Sequence, residues 1–597
     1  MARAMAEAGS FAIGTNGGVD GAPTLLQRLT HEVGGQAMPQ YPGAYGLVAA
    51  PFYAHAGLKG LVLLNTVSAL AAVILTRQIA MRLYDDRSVA FAAAALLGGA
   101  TFLSTYALGI WPHALALALI LVGIERAILC TRWSRVVSGL ALGLAVSIRV
   151  DAILAVFAVF FWLRLFAAPA RRADAAVFLL GLLPGLALAS QVNFVKFGVA
   201  APLAYGPADG GTMSERYIAL MVAMGIALIV AMAVNVRHIQ PLLASALARP
   251  LRIWGLTLGA LALLLTASGT LRDLLWNAYV LVADLQWIDD ERFQDGMVRL
   301  DSGWIVFWGT SKAALLQSVP FAVLALVPAA RFLAGERARD HALPLAMIGA
   351  YITFYSLNQW HGGYASAMRY FLPALPFLAI LSALALRRIA ASAPLWDDSM
   401  RRTLLWSSAV AALLGLVSLQ GPLEMQFAVE LYVPLIIAAA LALGLCVFLC
   451  GAERPAMRRA ILHLAMIAIA FSAVASYRDI GVLYARLADN AIAGQRLKQA
   501  IPAGSLVFTT SHSALVPAKL AGVHAYNPVA GNEGVAAARA FADAGRCVFA
   551  YPLEAGVTAA DEAGLTIRPV TLPGLQEPMG VLVGDGGPAS GCAPAGF

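Results

Sequence analysis

The chain has 597 residues, 60% of them hydrophobic and only 12% charged, with a mean hydropathy of +0.76. That composition marks a membrane protein and excludes an ordinary soluble fold. The formal charge of +8 does not mark a nucleic-acid binder, because most basic residues sit in short loops at regular intervals, as membrane topology requires.

Residues 1–57 precede the first long apolar run and are polar and Gly-rich. They open on a short amphipathic helix, "MARAMAEAG", pass a Gly-rich turn and end in "YPGAYGLVAAPFY". No basic n-region followed by an apolar h-region marks a signal peptide. From 58 to 476 apolar runs recur, and at about twenty residues per span they amount to about fourteen membrane segments. The expected spans are 58–80, 89–109, 112–129, 136–148, 152–166, 175–192, 217–234, 253–271, 311–333, 342–357, 370–386, 404–419, 428–449 and 461–476. Alternate loops are Arg-rich: Arg77, Arg82 and Arg87, then Arg126, Arg132 and Arg135, then Arg164, Arg171 and Arg172 begin the series. This pattern sets the Arg-rich loops in the cytoplasm and both the N-terminal segment and the C-terminal tail outside.

After Tyr477 the composition becomes that of a small soluble domain. A helix is expected at Val482–Ala500, strands at "SLVFTT", "RCVFAYPL", "TIRPVTL" and "MGVLVGD", and a helix at "GVAAARAFADAG". The expected fold is therefore an all-α polytopic membrane protein carrying a small C-terminal extracytoplasmic α/β domain over 477–597. Cys547 and Cys592, the two cysteines of this tail, are a disulfide candidate in an oxidising compartment, or else two free thiols. The preference for Arg over Lys and the abundance of Ala point to a GC-rich bacterial genome.

Two stretches of the body carry chemistry. In "RVVSGLALGLAVSIRVDAILAVFAVFFWLRLF", Arg149 and Asp151 interrupt an apolar run. Two helices of about fourteen residues reach about 21 Å each, short of the roughly 30 Å hydrocarbon core. A short hairpin with Arg149 at its tip keeps the downstream charge pattern. Ionisable groups at that depth are functional candidates. Either Arg149 holds a phosphate there, or Arg149 and Asp151 simply satisfy each other at the turn. In "LNQWHGGYASAMRYFLPALPF", adjacent glycines admit close backbone approach. Trp360, His361 and Tyr364 offer flat faces and polar edges suited to a sugar, and Arg369 heads the next helix, where its guanidinium is able to grip a phosphate bidentately. The competing reading is an interfacial aromatic belt with an anchoring Arg.

His113, in "GIWPHALAL", reads either as a surface histidine at an external helix start or as a pocket residue. The acidic stretch 284–303, "DLQWIDDERFQDGMVRLDSG", reads as a solvated external loop helix in which Asp289 or Asp290 is placed to meet a cation. A lipid or solute transporter and an inactive membrane scaffold are the alternatives to an enzyme. Paired repeats with broken helices in matching halves, the mark of many transporters, are not evident.

The order "MARAMAEAGSF", "YPGAYGLVAAPFY", "GLVLLNTVSALAAVILTRQIAMRLYDD", "GLALGLAVSIRVDAIL" and "WHGGYASAMRYFLPALPFLAIL" resembles the GT-C superfamily of polyprenyl-phosphate-sugar glycosyltransferases, over most of residues 1–390. The branch includes protein mannosyltransferases and lipid A aminoarabinose transferases. The resemblance implies a sugar donor on a polyprenyl phosphate in the outer leaflet of a bacterial cytoplasmic membrane, and a glycan, lipid or protein acceptor. It also implies cations against the leaving phosphate, for which Arg149 and Arg369 are the candidates, and a sugar pocket shaped by Tyr41, Trp360 and His361. Such enzymes carry an essential Asp at the end of a first membrane helix, just before the segment that matches residues 1–11. Both that helix and that Asp are expected upstream of Met1. Of the carboxylates present in the external segment, Glu7, Asp20 and Glu32 are candidates that do not match the family position. A divalent cation assists some members, and no ligand set for one can be named here.

Overall fold

The computed structural model describes residues 1–13, 19, 30–129, 131–166, 173–206, 269–293, 297–307, 310–334, 336–362, 366–390, 397–449, 454–502, 504–508, 524–526, 533–550, 565–570 and 579–583. The chain divides into two units. One comprises Met1–Gly57, Ala189–Met213 and Gly481–Phe597, the other Leu58–Leu188 and Ser214–Ile480.

In the first unit lie α1 (Ala2–Ala8) and the hairpin of β1 (Thr30–Val33) and β2 (Gln36–Pro39). It also holds a five-stranded sheet of β5 (Leu506–Phe508), β6 (His524–Tyr526), β7 (Val548–Ala550), β8 (Thr566–Val570) and β9 (Met579–Val583), in the order β6-β5-β7-β9-β8. Neighbours of β5 run parallel to it, whereas β9 is antiparallel to both β7 and β8. Apolar residues of β5 and β7 pack with Ala537, Ala538 and Phe541 of the helix Glu533–Asp543 to form the core. The strand β6 was not among the expected ones. Cys547 is disulfide-bonded, and Cys592 lies outside the described residues.

Among the described residues, six helices are long and apolar enough to cross a membrane: Ala44–Tyr84 (α2), Asp174–Phe197, Arg369–Ala390, Asp398–Gln420, Glu424–Leu449 and Pro455–Ala485. The protein is multi-pass and mostly helical. Several of the apolar runs are divided, among the described residues, into helices shorter than bilayer length. The run 89–109 is divided into α3 (Arg87–Gly99) and α4 (Leu103–Ala107). The runs 112–129, 136–148 and 152–166 form α5 (His113–Ile128), α6 (Arg132–Ile148) and α7 (Ile153–Phe166), all short. The run 311–333 is cut by Pro320, which lacks an N–H and restarts the chain as a 3-10 turn over Pro320–Ala325. The expected spans 217–234 and, up to residue 268, 253–271 lie outside the described residues. The helix expected at Val482–Ala500 is not separate, because a single helix runs from Pro455 to Ala500. The stretch 284–303 is not a loop helix either. It forms two 3-10 turns, Leu285–Trp287 and Asp290–Arg292, and a hairpin of β3 (Met297–Arg299) with β4 (Ile305–Phe307).

In the membrane unit, α6 and α8 (Ala173–Phe197) meet along facing Gly-x-x-x-Gly stripes, a pairing the apolar pattern alone did not reveal. A Cβ on Gly139 would lie 2.1 Å from the Phe178 carbonyl oxygen, one on Gly143 2.5 Å from that of Leu182, one on Gly181 2.4 Å from that of Val136, and one on Gly185 2.1 Å from the Gly143 carbonyl carbon. Backbones come that close only where both sides lack side chains, a common way to pack helices in lipid, where no hydrophobic force drives them together. The stripe fixes α6, and α6 ends on Arg149.

Candidate functional site

The turn between α6 and α7 is set by Arg149, whose backbone is extended (φ −146°, ψ 118°) and stops α6, and by a 3-10 turn over Val150–Ala152. Its guanidinium grips Asp151 with two bonds, Nε to Oδ1 at 3.0 Å and Nη2 to Oδ2 at 2.6 Å, while Nη1 lies 2.7 Å from Nε2 of His113. Arginine only donates, so His113 Nε2 accepts and the ring is the neutral tautomer with its proton on Nδ1. Tyr355 Oη donates to Asp151 Oδ2 at 2.8 Å, and Tyr351 Oη to the Asp151 carbonyl oxygen at 3.1 Å.

Tyr355 carries the site across to the Gly-Gly loop. Its ring stacks on Tyr370 at 4.3 Å between centroids with 9° between planes, and the Arg369 guanidinium lies over the Tyr370 ring at 5.1 Å. Arg369 opens a 3-10 turn, Arg369–Ala374, that runs into the helix Leu375–Ala390. Gly362 has φ 87°, a value side-chain-bearing residues rarely adopt, and a Cβ there would meet Arg369 Cγ at 3.2 Å. Arg149 and Arg369 are thus joined through Asp151, Tyr355 and Tyr370, and His113, beside Arg149, is buried. The Tyr106 and His113 rings pack at 4.9 Å. Tyr106 Oη and His113 Nδ1 are buried with no hydrogen-bond partner among the described residues.

A third cation joins from a segment the sequence analysis passed over. Ala313 N donates to Ser366 O at 2.9 Å, which brings 310–314 alongside the loop before Arg369. Lys312, fully buried, lies 5.7 Å from the Phe307 ring, and His361 packs on that same ring at 5.4 Å. Burial, with Lys312 and Arg369 acting in the same direction, pulls the His361 imidazole down to about 3, so it is neutral at physiological pH. Three cations (Arg149, Arg369, Lys312) and the carboxylate Asp151 are gathered here among the described residues, a grouping able to meet an anion. Ser311, next to Lys312, hydrogen-bonds Glu430, which pairs with Arg478 at 2.5 Å; Arg478 also holds Asp479 at 3.1 Å. Glu430 sits on a single π-turn, Ala428–Tyr432, a distortion frequent at functional sites.

The structure thus brings together His113, Arg149, Arg369 and His361, with Trp360 beside His361 and its backbone N–H donating to the Tyr355 carbonyl oxygen at 3.1 Å. His113 is buried, which corrects its reading as a surface histidine. Tyr364 lies outside the described residues. Tyr41, Glu7 and Glu32 belong to the other unit. There Tyr41 O accepts from Lys196 Nζ at 2.6 Å, Glu7 is exposed and paired with Arg3, and Glu32 is exposed on β1. Asp20 lies outside the described residues. Among the described residues no three His, Cys, Asp or Glu side chains come together to hold a metal, so no step is assigned to a divalent cation. The sequence analysis missed Tyr355, Tyr370 and Lys312. The first two had no signal beyond ordinary aromatics, but a lone Lys at the start of an apolar run was visible.

No family model and no curated protein matches the chain. Among solved structures it is similar to ArnT from Cupriavidus metallidurans bound to undecaprenyl phosphate, at 14% identity and TM-score 0.47, over 97% of this chain and 92% of that one. It is also similar to the oligosaccharyltransferase AglB from Archaeoglobus fulgidus in complex with an inhibitory peptide and a dolichol-phosphate, at 12% identity and TM-score 0.45, over 94% of this chain and 66% of that one. Both are GT-C superfamily proteins.

Proposed function

We propose that the protein is a membrane glycosyltransferase that moves a sugar from a polyprenyl-phosphate donor to an acceptor hydroxyl on a glycan, lipid or protein, at the extracytoplasmic face of a bacterial cytoplasmic membrane. The observation that carries this reading is the chain of contacts Arg149–Asp151–Tyr355–Tyr370–Arg369, which joins two cations far apart in sequence, in a multi-pass membrane protein. The acceptor oxygen attacks the anomeric carbon, the bond from that carbon to the phosphate oxygen breaks, the lipid phosphate departs with the electron pair, and the acceptor hydroxyl's proton ends on that departing phosphate. Fixed cations lower the barrier by meeting charge as it develops on the departing group, without having to reorganise.

In that step Arg149 and Arg369 donate charge-assisted hydrogen bonds to the phosphate oxygens, and Lys312 adds to the field. Asp151 holds Arg149 in place through its two bonds, and the Tyr355–Tyr370 stack fixes Arg369 relative to that pair. Neutral His361 and Trp360 present polar edges and a flat face to the sugar. Arg369→Ala abolishes sugar transfer in membranes supplied with a polyprenyl-phosphate sugar while the protein remains membrane-inserted at wild-type level. Normal transfer by this variant, or by Arg149→Ala, refutes the phosphate roles.

A further inference from the structure

Outside the cation cluster, the membrane unit contains an open cleft of about 650 Å³, within the size range of small-molecule sites. Its walls are aromatic. Trp276 and Trp287 meet at a near right angle (79°, centroids 6.2 Å apart), and Trp276 is backed by a stack on Tyr279 at 5.4 Å. Opposite in sequence, Trp304 is held flat against Phe427 at 4.8 Å with 13° between planes. Trp276 and Trp287 are 41% and 56% exposed, so both indoles are accessible to a ligand. The charged lining is Asp289, Asp290 and Arg299, with Gln286 and Ser302 as neutral polar groups, and Arg299 pairs with Asp290 at 2.6 Å. Two carboxylates against one guanidinium leave the cleft acidic.

We infer that this cleft binds a neutral or amino sugar of the acceptor, a role that rests on the glycosyltransferase reading above although sugar binding itself does not. Perpendicular indole faces suit the C–H face and edge of a pyranose ring, and carboxylates accept from its hydroxyl or ammonium donors. The acidic lining disfavours a lipid phosphate, the occupant that a plain interfacial aromatic belt would meet. The cleft is also tied to the transfer site. Gln359, fully buried and in the left-handed region (φ 48°), accepts from Asp289 N at 3.0 Å and donates to Asp289 Oδ2 at 2.7 Å and to Asn277 Oδ1 at 2.8 Å. The next two residues are Trp360 and His361. A strained backbone position at that joint, held by three side-chain bonds, couples the cleft floor to the loop that bears the candidate sugar pocket.

The test uses the full chain in a non-glycosidic detergent on an array of neutral, amino-bearing and carboxylate-bearing oligosaccharides, alongside the Trp276→Ala/Trp287→Ala variant and Trp287→Phe. The wild type is retained on neutral or amino-sugar spots in preference to carboxylate spots, the double variant binds at least about tenfold more weakly, and Trp287→Phe stays near wild type. Absence of retention on every spot, preference for carboxylate spots, or retention unchanged by the double variant overturns the inference. Loss of phosphatidylglycerol-vesicle binding in the double variant, with no glycan retention, makes the rings membrane anchors and also overturns it. Citronellyl phosphate binding, measured on the same samples, reports separately on the cation cluster. The double variant keeps it if folded, and a wild type that lacks it while retaining glycans refutes the donor reading and not this one.

Discussion

Replacing Arg149 by Met and Asp151 by Asn, singly and together, separates an ion pair that only shapes the turn from a cation that holds a phosphate. The pair is bidentate, at 3.0 and 2.6 Å, and its side chains are 16% and 12% exposed. Arg149→Met strands a buried carboxylate beside the Tyr355 hydroxyl and costs about 3–5 kcal/mol, the penalty for breaking a buried pair on one side. The double variant removes both charges and recovers most of that loss, because neutral replacement of a whole buried pair is close to neutral in stability. Donor binding follows a different rule. Each charge-assisted bond to phosphate is worth about 1.5–3 kcal/mol, so losing the one from Arg149 weakens binding about 10- to 150-fold. Thermal unfolding in micelles reads the first quantity, and calorimetric titration with citronellyl phosphate reads the second. The double variant is expected to regain wild-type stability and to stay defective in binding. A double variant that regains both would show that Arg149 serves the turn alone.

Three further outcomes follow from named contacts. Gly185→Ala places a Cβ 2.1 Å from the Gly143 carbonyl carbon and costs about 1–3 kcal/mol through overpacking; Gly98→Ala, whose Cβ meets Val73 at 3.4 Å, serves as the neutral control in the same unfolding assay. Tyr355→Phe deletes the 2.8 Å bond to the Asp151 carboxylate and keeps the ring on Tyr370, lowering stability by about 1.5–3 kcal/mol without dissociating the stack, as read by near-ultraviolet circular dichroism. His361 has its pKa lowered from 6.5 to about 3 in the fold. The unfolded chain therefore binds a proton that the native state refuses between those values, and stability falls as pH drops below 6.5 towards 3, by at most about 1.4 kcal/mol per pH unit. His361→Asn flattens that slope in unfolding measurements across the window, and an unchanged slope would show that the imidazole titrates normally.

The parts of the fold legible in the sequence were those governed by local rules. The hairpin tip at Arg149 followed from length alone, since the helices on either side were too short to span. The strands β5, β7, β8 and β9 follow from short apolar runs between turn residues, whereas β6 lacks such a run: its three residues are His524, Ala525 and Tyr526. Element bounds depart from the apolar runs where hydropathy is blind to backbone geometry. Hydropathy records Pro320 as one residue among apolar neighbours, yet it breaks a helix, and the glycines at 139, 143, 181 and 185 add little to an average although they let α6 and α8 approach backbone to backbone. The Tyr355–Tyr370 stack joins residues fifteen apart through an irregular loop, a contact that no periodicity encodes.

The membership of the cation cluster has a cause that the charge pattern already contained. Orientation in the membrane accounts for arginines in alternate short loops, where basic residues stabilise the cytoplasmic side. Arg149, Lys312 and Arg369 stand outside that series, each at the opposite end of an apolar segment, and orientation does not require them there. A buried or half-buried cation in such a place is costly unless something compensates it. For Arg149 the compensation is visible, in Asp151 and His113. For Arg369 it includes the face of Tyr370 and for Lys312 the face of Phe307, contacts that are weaker than an ion pair. An aromatic face holds a cation without neutralising its charge, whereas a carboxylate in contact does neutralise it. Under the proposed function, Arg369 and Lys312 meet the donor phosphate with charges that these aromatic contacts do not cancel.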